Sequence, residues 1–277
     1  GRLGIALVVV ASGWVGIANR EVQAQGSRRN TDESQVPAYT LPDPLVDASG
    51  TPIKTPEAWK ARRRELLELF ATNVYGRTPT PPTPIVARAE ILEESANALG
   101  GKAARRQIRI HFNDKADGPS MDLLLYLPRD RAATGRVPVF LALNFQGNHS
   151  ISHDPGIPIS TRWIRNNASA GVVDNKATEA TRGKAASRWP IENILARGYA
   201  LATIYYGDID PDFDDGFKNG IHPLFLQPGQ EKPRPDEWGS IGAWAWGLSR
   251  ALDYLETAPG IDASRAIVMG HSRLGKT

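Results

Sequence analysis

The chain has 277 residues, of which 41% are hydrophobic and 23% are charged, and its formal net charge is +3. These values are typical of a soluble globular protein with one large α/β domain or two small ones. The densest basic run, Arg62 to Arg64, is followed by Glu65 and Glu68, which favours an ion-paired helix face over a nucleic-acid-binding patch. Cysteine is absent, which excludes stabilisation by disulfides.

The first 24 residues have the layout of a secretory signal peptide. An almost uninterrupted run of apolar and small residues from Leu3 to Ala18 follows Arg2, and Val22 and Ala24 take positions −3 and −1 of a possible cleavage site after Ala24. The run is short for a membrane span, so a membrane anchor is the weaker alternative. The sequence therefore predicts a secreted or periplasmic protein with no stable membrane association after signal removal. Because residue 1 is Gly and not Met, we expect the start of this signal to be clipped.

The first half of the remaining chain is predicted to hold a leader, a helix and a meander of strands. Residues 25–58 are polar and proline-rich and are typical of an extended leader, whereas residues 59–277 read as one α/β domain. A helix is predicted over 56–75 and ends at a run of prolines from residue 79. Strands are predicted over 85–92, 105–112 and 121–127.

The second half alternates buried strands with helices. Residues 137–144 and 199–205 are continuous apolar runs, which indicates burial on both faces of a sheet. A short helix is predicted over 190–197, and the clearest helix runs over 240–257, with Ser240 as a reasonable N-cap. A last strand, 266–269, follows. Antiparallel strands that lead into strand–helix–strand order predict an α/β fold with a mixed sheet.

Two functional motifs fit the last eight residues, Gly270-His271-Ser272-Arg273-Leu274-Gly275-Lys276-Thr277. A serine between glycines directly after a strand is typical of a nucleophile elbow, although the G-x-S-x-G pattern would place its second glycine at 274 and not at 275. The same residues fit G-x-x-x-x-G-K-[ST], the phosphate-binding P-loop. An ordinary glycine-bearing turn is the third possibility. A P-loop normally follows an early strand, and secretion disfavours an ATP-driven enzyme, so the order of elements favours an α/β-hydrolase.

Four stretches together resemble the bacterial glucuronoyl esterases of carbohydrate esterase family fifteen. They are 139–149, 205–212, 244–255 and the terminal octet, and the resemblance runs from about residue 52 to the end. The family pattern at the elbow is G-x-S-R-x-G-K, which accounts for Gly275 and Lys276. Fungal members have Cys where this chain has His271. The resemblance implies a three-layer α/β-hydrolase sandwich, incomplete at its C-terminal side, with 59–277 as the N-terminal part of a single domain.

The resemblance also implies a reaction and its residues. Ser272 would be the nucleophile, Arg273 would stabilise the oxyanion through its N–H and guanidinium, and Lys276 would contact the uronate sugar. The substrate would be the glucuronoxylan–lignin ester, with no cofactor and no metal. In α/β-hydrolases the catalytic acid and the catalytic His follow the Ser in sequence, so both would lie beyond Thr277. Residues 1–277 alone are therefore expected to be inactive. An acetyl-xylan esterase or other carboxylesterase, and a catalytically dead carbohydrate-binding relative, remain alternatives.

Two further residues are candidates for lining the site. His149 follows a strand end where hydrolases often place an oxyanion donor, although a structural hydrogen bond is the simpler expectation. Trp238 precedes the predicted helix 240–257 and is the better candidate for stacking on a sugar, because Trp244 falls on the helix's apolar stripe. The aspartates between 208 and 215 lack the spacing of a calcium loop, so we expect a solvated acidic loop near a substrate groove.

Overall fold

The computed structural model describes residues 31–85, 87–129 and 135–277. The predicted signal peptide lies outside the described residues. The chain divides into a unit that ends at Ile53 and a second unit over Lys54–Thr277. Within the described part of the first unit, a 3₁₀ turn spans Glu33–Gln35, and an isolated bridge pairs Val46 with Pro52.

Helix α1 opens the second unit at Pro56–Phe70 and continues as a π-helical turn over Ala71–Tyr75. Proline is favoured in the first turn of a helix, and the Thr55 hydroxyl accepts the Ala58 N–H at 3.1 Å as an N-cap. The predicted helix over 56–75 is thereby confirmed. No residue of α1 is fully buried, so its apolar side chains stay partly open to solvent among the described residues.

The described strands are, in chain order from β1 to β8, Arg88–Asn97, Ala103–His111, Ser120–Pro128, Val137–Asn144, Val172–Val173, Lys176–Ala177, Ala200–Tyr205 and Ile261–Met269. Six of them form one sheet in the order β1-β2-β3-β7-β4-β8. The strands β1, β2, β3 and β7 pair antiparallel, whereas β7, β4 and β8 run parallel. This mixed sheet confirms the predicted change from meander to parallel order. A separate two-residue hairpin pairs β5 with β6.

Five helices follow α1 in the described residues. The turn α2, with left-handed backbone at Leu99 and Gly100, reverses the chain between β1 and β2. The longest of these five is α5, which begins at Ser240. Its N-cap position is Gly239, and no side chain caps the helix, which corrects the expectation that Ser240 is the N-cap. The bounds are α2 Ala98–Gly101, α3 Ile191–Ala196, α4 Tyr206–Ile209, α5 Ser240–Thr257 and α6 Arg273–Lys276.

Side chains from both faces of the sheet are buried, which makes the fold a three-layer α/β sandwich. Successive strand residues point to opposite faces, and in β3 Leu123 belongs to one buried cluster whereas Leu124 belongs to the other. Leu248 of α5 packs in the first cluster, and Leu195 of α3 packs in the second. Every residue of β7 is buried, as its continuous apolar run predicts. Helices therefore cover both faces of the parallel half of the sheet.

Candidate functional site

The turn between β8 and α6 holds a serine in a strained conformation. β8 ends at Met269, α6 begins at Arg273, and Ser272 at the junction has φ +55° and ψ −127°. A positive φ is uncommon for a residue with a side chain, and such strain concentrates at functional sites. The Ser272 residue is exposed. A sharp strand–turn–helix that presents a strained, exposed serine is the geometry of a nucleophile elbow.

Close contact between the strand end and the helix explains both glycines of the octet. A Cβ on Gly270 would lie 2.1 Å from the backbone oxygen of Leu274, and a Cβ on Gly275 would lie 3.2 Å from that of Gly270. The backbone at residues 274 and 275 thus packs directly on residue 270. Because Leu274 instead turns its own side chain into the core, the second glycine is needed one position later than in G-x-S-x-G.

The same turn disfavours the P-loop alternative. A P-loop wraps phosphates with backbone N–H groups of an extended loop and places its Lys at the start of the following helix. Here the helix begins at Arg273, so Lys276 is its fourth residue, and only residues 270 to 272 separate the helix from the strand. The described geometry therefore fits the elbow.

The Arg273 guanidinium lies among groups that follow the other two parallel strands. Its Nη2 donates to Asp212 Oδ2 at 2.5 Å and to the Tyr206 hydroxyl at 3.2 Å. Its Cζ lies 5.2 Å from the ring centroid of Phe145 and 5.5 Å from that of Tyr206. Burial raises the pKa of Tyr206 to about 12, so its hydroxyl stays protonated and donates to Asp212 at 2.9 Å. A fixed cation thus lies one residue from the serine.

His149 makes structural hydrogen bonds, which was the simpler expectation for it, and does not line the described site. The ring is fully buried; Nδ1 accepts the Ser160 N–H at 3.2 Å, and Nε2 lies 2.7 Å from Thr181 Oγ1. Because Nδ1 is an acceptor, Nε2 carries the proton and donates to Thr181. Burial, together with the nearby charge of Arg182, lowers the pKa of His149 to about 4. The ring is therefore neutral at physiological pH.

Trp238 is buried as well, which corrects the expectation that it lines a sugar-binding groove. It is 1% exposed, and its ring packs edge-on against Phe225 at 4.6 Å and lies 5.8 Å from His222. Trp244 is buried, as its place on the apolar stripe of α5 predicts, and its Nε1 donates to the backbone oxygen of Asp210 at 2.9 Å. Lys276, by contrast, is exposed on α6.

The acidic loop is not simply solvated, because several of its aspartates are buried or paired. Asp208 and Asp210 are buried, Asp212 pairs with Arg273, and the Asp215 carboxylate accepts three backbone N–H groups of its own loop. In the described part of the chain no group of three acidic, His or Cys side chains is arranged to hold a metal ion. Nor does any described helix have the length and apolarity that crossing a bilayer requires.

Sequence reasoning missed Phe145, Tyr206 and Asp212 as members of the site. All three lie in the stretches that carry the family resemblance, and Phe145 and Tyr206 directly follow the parallel strands β4 and β7. In open α/β sheets, sites form at the carboxyl ends of such strands. That rule would have pointed to the first two residues, although not to the contact of Asp212 with Arg273.

Comparisons with known proteins agree with this geometry. A family model described as "Glucuronyl esterase, fungi" matches residues 233–277. A protein named carbohydrate esterase MZ0003, from an unknown prokaryotic organism, is 47% identical over 99% of this chain and 62% of its own length. The solved structure of a glucuronoyl esterase from Solibacter usitatus is 48% identical with a TM-score of 0.80, and the match covers 88% of this chain and 60% of that one.

A more distant relative has the same fold and the same named activity. The structure of a CE15 glucuronoyl esterase from Teredinibacter turnerae is 28% identical with a TM-score of 0.58, and it covers 85% of this chain and 51% of that one. The chain thus spans about three fifths of the length of the two more similar relatives. All of these relatives are named as esterases, and their fold is that of the α/β-hydrolases. Over the length that it spans, the chain is similar in sequence and fold to bacterial glucuronoyl esterases of carbohydrate esterase family fifteen.

Proposed function

We propose that the protein hydrolyses glucuronoyl esters, with Ser272 as its nucleophile. The observation that carries the proposal is the positive φ of Ser272 at the tight turn between β8 and α6. An ordinary turn would place a glycine where the backbone must be left-handed. A serine held there at the expense of strain is in keeping with a hydroxyl that must stand clear of both flanking elements.

Arg273 would stabilise the charge that develops during attack. As the Ser272 oxygen bonds to the ester carbon, the carbonyl oxygen becomes an oxyanion, and the alcohol then leaves to give an acyl-enzyme that water hydrolyses. Because α6 begins at Arg273, the N–H of that residue is an unpaired donor of the first helical turn. Its guanidinium supplies a full positive charge beside this N–H, which stabilises an anion more than a neutral donor does.

The serine also requires a general base. Within the described residues no histidine is hydrogen-bonded to Ser272, and the buried His149 is committed to Ser160 and Thr181. The proposal therefore includes a histidine that acts as the general base and an acidic residue that supports it, and the described contacts identify neither. Tests of activity should accordingly use the natural protein that carries this sequence.

The substrate class is proposed from the relatives and from Lys276. Two of the relatives, from Solibacter usitatus and Teredinibacter turnerae, are named glucuronoyl esterases, and an exposed Lys276 on the helix that starts at the elbow is suited to contact a uronate sugar. We extend this to the ester that joins glucuronoxylan to lignin. Because such a substrate is extracellular, it agrees with the proposed secretion of the protein, which the apolar run at residues 3–18 supports.

The test compares the natural protein with three variants on a uronate ester and on acetate esters. The natural protein should hydrolyse the benzyl ester of glucuronic acid, and Ser272→Ala should abolish turnover, whereas Ser264→Ala on β8 should retain it. Lys276→Met should raise KM for the uronate ester and leave KM for a simple aryl acetate unchanged. Hydrolysis of acetylated xylan without hydrolysis of the uronate ester would replace the proposal by an acetyl-xylan esterase. Binding of xylan without turnover would indicate a catalytically dead relative.

A further inference from the structure

The Arg273 guanidinium is held on one edge by a carboxylate. Nη2 lies 2.5 Å from Asp212 Oδ2, and the same oxygen accepts the Tyr206 hydroxyl at 2.9 Å. Arg165 approaches that oxygen to 3.2 Å through its own Nη2. Three donors therefore converge on Oδ2, and a carboxylate oxygen held in this way can tie down the Arg273 head group.

Two aromatic rings restrict the guanidinium further. Phe145 and Tyr206 each place a ring within 5.5 Å of the Arg273 Cζ, and the two rings pack edge-on at 5.6 Å. Cations are attracted to ring faces at this range. Because Phe145 follows β4 and Tyr206 follows β7, the rings are anchored at the edge of the sheet. The Arg273 side chain is thus fixed relative to the strands and not merely to its own helix.

Arg165 also holds the backbone of Asp212. Arg165 Nη2 donates to the backbone oxygen of Asp212 at 2.6 Å, and the Arg165 Cζ lies 5.7 Å from the centroid of the Trp163 ring. Trp163 in turn packs against Phe213 at 4.7 Å. These contacts hold both the backbone and the carboxylate of Asp212, so it can serve as a rigid support for another side chain.

We call the contacts of Arg273 with Asp212, Phe145 and Tyr206 the clamp. The clamp leaves one N–H donor of Arg273 without an acceptor among the described residues. The Arg273 Nε is buried and has no hydrogen-bond partner in the described structure. A buried N–H without an acceptor is costly, and such groups in native proteins call for an explanation. An acceptor that is present only when a substrate or its oxyanion occupies the site would supply the missing partner.

We propose that Asp212 is a positioning residue, which holds the Arg273 guanidinium so that its remaining N–H groups meet the developing oxyanion. This inference rests on the proposed esterase function. The Arg273 side chain is 40% exposed, and an ion pair at such a site adds little to stability. In catalysis, however, a charge that is already oriented needs no reorganisation as the reaction proceeds.

A double-mutant cycle tests the inference. With the benzyl glucuronate ester, Arg273→Ala should lower kcat by about 10²- to 10³-fold, the range for loss of one oxyanion donor. Asp212→Ala should lower kcat by at least about tenfold, and KM should stay within about twofold, because the loss falls on transition-state stabilisation. In the Arg273→Ala background, Asp212→Ala should then lower kcat by less than about twofold, since it has no guanidinium left to hold.

Three controls separate positioning from folding. Asp214→Ala alters an exposed carboxylate of the same loop and should leave kcat unchanged. Asp212→Asn keeps the shape of the side chain and should show the same kcat loss if Asp212→Ala fails to fold, with thermal melting recorded for each variant. Asp212→Glu should recover part of the lost kcat, because it restores the carboxylate.

The outcomes distinguish this inference from the function on which it rests. An active natural protein in which the two losses simply multiply would overturn the positioning role and leave the esterase function intact. The same holds if Asp212→Ala raises KM at unchanged kcat. A natural protein that hydrolyses no ester would overturn both. A loss that disappears in the Arg273→Ala background supports the inference, because a merely structural role of Asp212 would reduce kcat in both backgrounds.

Discussion

Asp208 provides a test of the buried electrostatics beside the candidate site. It lies in α4 directly after β7; its Oδ2 accepts the Asp122 N–H at 3.0 Å, and its Oδ1 is 3.7 Å from Arg162 Nε. Burial first, and then the nearby Asp122 carboxylate, raise the pKa of Asp208 to about 7 against the smaller opposing effects of the Asp122 N–H, Arg162 and Arg109. We predict that Asp208→Asn stabilises the protein at neutral and alkaline pH.

The sign follows from proton uptake in the two states. The ordinary pKa of the group is 3.8, so between about pH 4 and about pH 7 the unfolded chain has lost the proton that the folded chain retains. The contribution of Asp208 to stability is therefore largest below pH 4 and falls as the pH rises to 7. A gap of about three pKa units corresponds to about 4 kcal/mol at most. Asparagine cannot ionise, so the variant should not lose this free energy.

The assay is urea unfolding of the natural protein, Asp208→Asn and a control, Glu231→Gln, at steps from pH 4 to pH 8. Glu231 is exposed, so its replacement should leave the pH dependence unchanged. The difference in unfolding free energy between Asp208→Asn and the natural protein should increase with pH up to about 7 and then level off. A difference that stays constant with pH, or that falls as the pH rises, would refute the reasoning.

Three other substitutions test separate features of the fold. Because the pKa of His149 falls from 6.5 to about 4 on folding, the neutral ring contributes stability that is lost as the pH drops through that range, and the Tm of His149→Gln should decline less between pH 7 and pH 5. Gly270→Ala should abolish activity and lower Tm, whereas Gly239→Ala, whose Cβ meets nothing within 4 Å, should change Tm little. Tyr126→Phe removes a 2.7 Å hydrogen bond to the buried Asp154 and should reduce the unfolding free energy by about 1–3 kcal/mol, measured in urea.

The sequence was sufficient to predict elements whose apolar residues form a continuous run or a helical stripe. Val137–Asn144 forms β4 over the range that its apolar run predicts, and Ser240–Thr257 forms α5 as its helical stripe predicts. β8 begins at Ile261, five residues before its predicted start. The prediction missed the first half of the strand because polar residues such as Asp262 and Arg265 occupy it. The Arg265 guanidinium donates to the Asp262 carboxylate at 2.6 Å, so this part of the strand lacks the apolar pattern from which a strand is predicted.

Trp238 shows why position next to a helix does not determine exposure. Its backbone N–H donates to the backbone oxygen of Arg77 at 3.0 Å, and the Arg77 backbone N–H donates to the backbone oxygen of Asp236 at 2.8 Å. This bridge draws the start of α5 against a segment about 160 residues earlier in the chain, and the indole is enclosed as a result. A pairing over that separation leaves no local pattern, so the sequence around Trp238 could not reveal its burial.

The candidate site shows the same division between local and long-range information. Ser272 and its two glycines were predictable because the turn is built from consecutive residues, whereas the clamp joins residues 61 positions apart. In the sheet β4 lies between β7 and β8, although it precedes both in sequence. Phe145, at the end of β4, therefore lies between Tyr206 and the elbow, and it contacts Tyr206 at 5.6 Å and His271 at 6.4 Å. The strand crossover creates this arrangement, so the clamp becomes visible only when the topology is known.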